Sequence, residues 1–395
     1  MNKIILSILV SLTCILSNAQ DLKIYNLSEA LEVANKNEVL ILDLQDEYLE
    51  EIPKSILEFK NLEQLIIGGN SALTEIPEFI GDFKELWHLH IGPNDYTELP
   101  EAGIGSFQSL TKLKVNYTSI QKIPDSYTSL PKLKNLILIH NKIAELPEDL
   151  GNLKTLINIV VKNYRYKLTK IPKSIGQLSN LKTLWIERCQ ITELPTEIKN
   201  LSNLEVLTLE NNKLTYLPDI SALSKLTHIK LFANELKELP YYIGNYSELI
   251  ELDASFNDLE SIPNSLSQLK KLTTLKLNNN DISILPNNLE GLNSLEELDL
   301  SANFNKSIVN ESIGKLNNLK SLYLSQNRIV TLPLSFQNLT ELVWLNLSEN
   351  NIEIMELEKL KALTKLEELD LSENNLDKLA LEKLQKQIPN CIIHE

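Results

Sequence analysis

Four of the five histidines in this 395-residue chain, His88, His90, His140 and His228, fall in short segments where leucine alternates with other residues. Imidazole can ligate a metal, relay a proton or change charge near neutral pH. His88 and His90 are two apart, so in an extended strand they share a face. His140 falls two segments further on, about 10 Å away at ordinary strand spacing. A metal site needs closer ligands and a carboxylate, and the intervening segment offers Lys112 and Lys114 instead. These residue types therefore predict no metal and no cofactor, but leave room for protonation at mildly acidic pH that tunes the affinity for a partner. The same outward positions carry Tyr117, Ile137, Ile139, Val160, Trp185, Arg188, Phe232 and Phe256. Singly, each has a plain explanation in cross-strand stacking. Together they cluster in one part of the chain, and interface hot spots are rich in Trp, Tyr and Arg. The expectation is a binding surface.

Nothing in the sequence points to catalysis. There is no phosphate-cradling glycine loop, no G-x-S-x-G elbow, no H-E-x-x-H and no paired-cysteine zinc spacing, so the chain is predicted not to be an enzyme. Sites of the form N-x-[ST], such as Asn200-Leu201-Ser202, fall out of an Asn/Leu/Ser-rich composition.

The elements that position these residues form a unit of about 23 residues, L-x-x-L-x-L-x-x-N-x-L-x-x-L-P-x-x-I-x-x-L. The first copy starts at Val39, and fourteen more open at Leu62, Leu86, Leu110, Leu133, Leu156, Leu181, Leu204, Leu226, Leu249, Leu272, Leu295, Leu319, Leu342 and Leu366. A unit this short cannot bury its own apolar side chains, so neighbours must stack around one long shared core. The alternating leucines predict a strand with its leucines inward and the residues between them outward. Asparagine at the ninth position, as in Asn70, Asn257 and Asn280, is expected to turn the chain and satisfy buried backbone groups. Thr118 and Cys189 stand at that place in their units, and Glu47 in the first. Proline at the fifteenth position, as in Pro53 and Pro286, fixes φ on the returning side, where no sheet needs its N–H. The units from Leu342 and Leu366 lack it, and their returning segments read as true helix. In the outward positions from Leu295 onward the residues are mostly bland.

The two ends differ from the repeats. Residues 1–19 combine Lys3, an apolar stretch and Ser17-Asn18-Ala19, the pattern of a secretory signal peptide. Cys14 follows Thr13 and precedes further apolar residues, which suits the discarded stretch better than a lipid anchor. Residues 20–38 read as an N-terminal cap with a short helix over 28–34, Ser28 its N-cap. Residues 39–395 form the repeat domain, ending in a helix stopped by Pro389 and an edge strand at Cys391-Ile392-Ile393. Without residues 1–19 the chain carries 37 basic and 53 acidic residues, a net charge of −16. That balance argues against non-specific binding to nucleic acid or anionic membranes. No stretch past the signal is apolar enough to span a membrane. Cys189 and Cys391 sit about 40 Å apart at eight strand spacings, too far for a disulfide.

This pattern resembles the leucine-rich repeat family, in the L-P-x-x-I form of plant Ras-group-related and animal Ras-scaffold repeat proteins and many bacterial ones. The resemblance implies an α/β fold: a right-handed horseshoe solenoid with a parallel β-sheet on its concave face, and a partner, usually a protein, held there. Extracellular animal and plant members carry disulfide-bonded caps; this chain does not, which suggests a bacterial exported member. The function expected is a monomeric, non-enzymatic scaffold that captures a protein partner, secreted, periplasmic or at the cell surface. One alternative is a carbohydrate-binding surface protein using Tyr117, Trp185 and Phe232 as stacking platforms. The other is the targeting subunit of a separately encoded enzyme.

Overall fold

Leucines spaced to alternate across a strand, with one buried amide per turn, fold into a coil of parallel strands. The computed structural model describes residues 22–103, 106–163, 168–305 and 308–395. The expected signal peptide, Cys14 and most of the extra residues in the unit from Leu156 lie outside these ranges. Among these residues seventeen strands of two to five residues pair in parallel, each with its neighbours in chain order, in one sheet open at both ends. Fifteen of them open the fifteen units, and two more close the ends. Register is strict: Leu252, Leu275, Leu298, Leu322, Leu345 and Leu369 lie side by side. All are buried in one continuous apolar cluster that runs from Ala30 to Cys391. Burial of each leucine thus depends on the units before and after it.

The asparagine at the ninth position joins consecutive turns. Asn257 Nδ2 donates to Leu231 O of the preceding unit at 3.0 Å and to Ala254 O of its own at 3.1 Å. Its Oδ1 accepts from the N–H of Leu236 at 3.0 Å. Asn280 repeats the arrangement one turn on, with Ala254 O at 3.0 Å and the N–H of Leu259 at 2.9 Å. Substitutes make fewer bonds: the Thr118 hydroxyl donates to Asn141 Oδ1 at 2.6 Å, and Cys189 Sγ lies 3.5 Å from Glu187 O. The residue just before this position has a left-handed backbone, with φ of 55° at Tyr117, 56° at His140, 55° at Arg188 and 54° at Phe256. That kink follows most strands; Pro93, before Asn94, lacks it.

The returning side is built from 3-10 turns such as Lys54–Glu58, Glu78–Asp82 and Asp125–Ser129, entered through Pro53, Pro77 and Pro124. Proline's missing N–H falls where a helix start has no acceptor for it. Neighbouring turns pack closely here; a Cβ on Gly151 would lie 2.2 Å from Ser174 O.

At the N-terminus the helix α1, Leu27–Glu32, is capped by Asn26, whose Oδ1 accepts from the N–H of Glu29 at 2.8 Å. The expected cap, Ser28, already lies inside the helix and donates its hydroxyl to that same Asn26 oxygen at 2.9 Å. A two-residue strand, Ile24–Tyr25, precedes the helix and pairs with Ile41–Leu42. At the other end, α2 (Lys378–Gln387) and the edge strand Ile392–His394 match expectation. The unit from Leu342 does not: it returns through a long 3-10 segment, Ile354–Ala362. Buried Glu356 accounts for this segment's anchorage, accepting from the N–H of Leu332 and from Lys359 Nζ, each at 2.6 Å. Cys189 and Cys391 are both free and buried. No helix among the described residues is long and apolar enough to cross a membrane.

Leu275 is 1% exposed and flanked on both sides in the ladder. Leu275→Ala should lower stability by about 2–5 kcal/mol, read from denaturant melts. An unchanged melt would contradict the stacked core.

Candidate binding surface

The inward curve of the sheet decides how much of each outward residue solvent can reach. Tyr117, Arg188 and Phe256 are exposed, while His88, His90, Ile139, His140, Trp185 and Phe232 are half-buried. Ile137, Val160 and His228 are each 5% exposed, so they are covered, contrary to the expectation of free outward positions. On a concave face, side chains of successive strands converge and shield one another. His140 is also not on a strand; it sits in the left-handed position just past Asn135–Ile139.

The predicted residues come together in four groups rather than one. His88 and His90 stack in parallel, ring centres 6.3 Å apart. Tyr117 packs on His140 at 4.7 Å. Ile137, Val160 and Trp185 are direct ladder neighbours and form an apolar stripe beside Ile139. Phe232 and Phe256 meet at 5.0 Å. His228 belongs to none of these, its Nδ1 lying 2.8 Å from Thr227 Oγ1.

The imidazoles do not titrate where expected. Burial, then the neighbouring Lys112, hold His88 down at about 3, and burial, then Lys114, hold His90 at about 4. Burial also lowers His140 and His228. Lys112 and Lys114 are ladder partners of His88 and His90, so a proton on either ring would face a cation one strand away. The neutral rings make fixed hydrogen bonds instead: His88 Nδ1 to Gln64 Oε1 at 3.2 Å and His90 Nε2 to Asn116 Oδ1 at 2.5 Å. For His88 and His90 this runs against affinity tuning at mildly acidic pH. Among the described residues no group of three His, Cys, Asp or Glu side chains is placed to hold a metal ion.

The main electrostatic feature of the surface is a chain of charges beside Trp185. Glu187 accepts from Trp185 Nε1 at 3.0 Å, pairs with Lys162 Nζ at 2.9 Å, and lies 3.4 Å from Arg188 Nε. Lys162 Nζ also hangs 5.8 Å from the centre of the Trp185 ring. Two strands on, Lys230 pairs with Glu251 at 2.8 Å. Between these pairs stands Glu210, whose carboxyl has no hydrogen-bond or ion-pair partner among the described residues. Burial, then the charge of Glu187, raises it to about 7. The adjacent cations are already committed to Glu187 and Glu251.

Sequence reasoning passed over this chain, although a signal existed. Lys162, Glu187 and Glu210 occupy the seventh position of three successive units, where later units hold Ser255, Asn278 or Ser301. Tyr323 and Trp344 were also missed: their rings pair at 6.3 Å on a stretch expected to be bland. The returning side carries open clefts, one of about 660 Å³ lined by Glu50, Glu75 and Phe79 among others.

The repeat also aligns with known proteins. Residues 124–213 and 206–311 match the description "Leucine-rich repeat region", and 294–352, 317–376 and 365–391 match "Leucine rich repeat". The chain belongs to the leucine-rich repeat family. A leucine-rich repeat protein of Leptospira interrogans is 28% identical, with a TM-score of 0.66 over 94% of this chain and 100% of that one. The plant peptide hormone receptor RGFR1, in complex with RGF2, is 27% identical, with a TM-score of 0.67 over 90% of this chain and 65% of the receptor. An internalin of Listeria monocytogenes shares the fold at 20% identity, with a TM-score of 0.62 over 86% of this chain and 88% of that one. No curated protein matches the sequence significantly. The leucine-rich repeat solenoid is typical of protein-interaction scaffolds and ligand-binding receptors.

Two measurements check the electrostatics of this leucine-rich repeat protein. Ring resonances of His88 and His90 should not shift between pH 5.5 and 7.5; a midpoint inside that window would contradict their burial. Glu210 ordinarily titrates at 4.5 and in the fold at about 7, so the folded chain keeps a proton that the unfolded chain releases. Stability should fall as pH rises from about 4.5 to about 7, by about 1–2 kcal/mol after discounting for partial exposure, and Glu210→Gln should remove that loss. Denaturant midpoints at both ends of the window give the answer, and a wild-type-minus-variant difference independent of pH would refute it.

Proposed function

We propose that this protein is an exported, non-enzymatic scaffold that holds a protein partner on its concave sheet. The observation that carries the reading is the run of outward positions from His88 to Phe256, where apolar and aromatic side chains break a repeat that from Leu295 on places mostly Ser, Asn and Asp outward, Tyr323 and Trp344 excepted. Trp185 is its centre: half-buried, fixed by its bond to Glu187, and next to Val160 in the ladder. A rigid sheet lowers the ordering cost of association, and a held indole is a favourable anchor. Export rests on the signal-like residues 1–19. The plant relative is a peptide hormone receptor in complex with RGF2, which fits capture of a polypeptide. The glycan alternative is disfavoured at Trp185, where Lys162 lies over the ring that a sugar would stack on.

Proximity labelling or pull-down in the native host, comparing wild type with Trp185→Ala plus Phe232→Ala, tests the reading. The variant should lose the partners enriched by wild type. Equal capture by both proteins would place the contact elsewhere.

A further inference from the structure

Two half-buried ionic groups without partners among the described residues stand at opposite ends of the apolar stripe. Lys114 has no carboxylate within ion-pair distance among the described residues, and burial lowers its affinity for a proton. Glu210 is the unpaired carboxyl at the other end. The ladder joins them: Lys114 lies beside Ile137, then Val160, then Trp185, then Thr208, and Glu210 follows Thr208 by two residues on the same strand side. Four strand spacings and that offset make a span of about 20 Å, the reach of about six residues of extended chain. Along one flank run Asn135, Asn158 and Thr183, the ladder row next to the stripe. Asn158 Nδ2 donates to Asn135 Oδ1 at 2.7 Å, leaving further amide donors and acceptors toward the open face.

We propose that this surface binds an extended peptide segment lying across the strands, with a carboxylate over Lys114, a cationic side chain over Glu210, and apolar side chains between them against the half-buried Ile139 and Trp185, above the covered Ile137 and Val160. The assignment rests on the concave-capture reading above and narrows it to a partner of one charge order. A half-buried ionisable group with no partner is poorly solvated when charged, so an incoming opposite charge stabilises its ionised form, while a segment with the order reversed meets like charge. The sheet's own backbone is already paired strand to strand, so the peptide is read through side chains and not by strand addition. The asparagine row supplies the polar groups that a peptide main chain needs beside an apolar stripe.

The test pans a displayed library of random peptides, long enough to cover the span, on the full chain. Wild type should enrich peptides carrying an acidic and a basic residue about six apart with apolar residues between. The charge-exchanged variant, Lys114→Glu with Glu210→Lys, should enrich the opposite order. Lys114→Gln and Glu210→Gln, which keep the shape, should each weaken a selected peptide about tenfold, as expected for loss of one charge-assisted contact. Enriched peptides that need Trp185 but show no charge order, or the same order on the exchanged variant, overturn this proposal and leave concave capture standing. Enriched peptides indifferent to Trp185→Ala overturn both. No enrichment at all overturns the extended segment as the ligand.

Discussion

The side-chain amide of the asparagine that closes each strand bonds one turn of the coil to the turn before it, and the rest of the structure follows from that bond. Asn257 and Asn280 each satisfy a carbonyl of the preceding unit and an N–H beyond its strand. Those groups lie inside the coil, where water cannot reach them, so leaving them unpaired would cost about 1–3 kcal/mol each. The amide thereby fixes where every turn sits on its neighbour. Register, in turn, aligns the leucines inward and determines which outward side chains meet. Lys162 pairs with Glu187 across about one unit of sequence because the amides have already set those strands side by side.

On the concave face the same curvature that shapes the sheet also changes the chemistry. Converging side chains exclude water from His88, His90 and Glu210, and each then favours its neutral form. For the histidines the neighbouring lysines act in the same direction. For Glu210 the nearby Glu187 does, while Lys230 and Lys162 oppose it only in part. The surface is thus less charged than its composition suggests. What charge it keeps is ordered: basic near Lys114, apolar through Val160 and Trp185, acidic at Glu187, with Glu210 ionising only near neutral pH.

The architecture was legible because its determinants are local and repeated. Leucines, asparagines and prolines recur at fixed offsets, and their period places fifteen strands, the final helix and the last edge strand. What escaped the sequence depends on neighbours in space. Ile24–Tyr25 is too short to show any alternation, and its strand character comes from pairing with Ile41–Leu42. Ser28 and Asn26 are equally good capping residues, and only the extended backbone at Asn26 (φ −79°, ψ 174°) decides between them. The covered state of Ile137, Val160 and His228 comes from curvature, which no residue type encodes. The Glu187 hub joins three side chains from two units, so reading one unit at a time cannot find it. The imidazole ring of His90 is half-buried and bound to Asn116, a partner in the next unit.

The left-handed residue before the ninth position of most units carries an implication for how such a surface changes over generations. Tyr117, His140, Arg188, Asn211, Ala233 and Phe256 share nearly one backbone conformation, with φ between 54° and 56°, despite having nothing chemical in common. The conformation is imposed by the turn and not chosen by the side chain, at a local cost that the stacked core offsets. Each such position therefore works like a socket of fixed aim that accepts almost any occupant. Recognition can drift by single substitutions while the coil keeps its shape, and two descendants of this chain can share every turn yet hold unrelated partners.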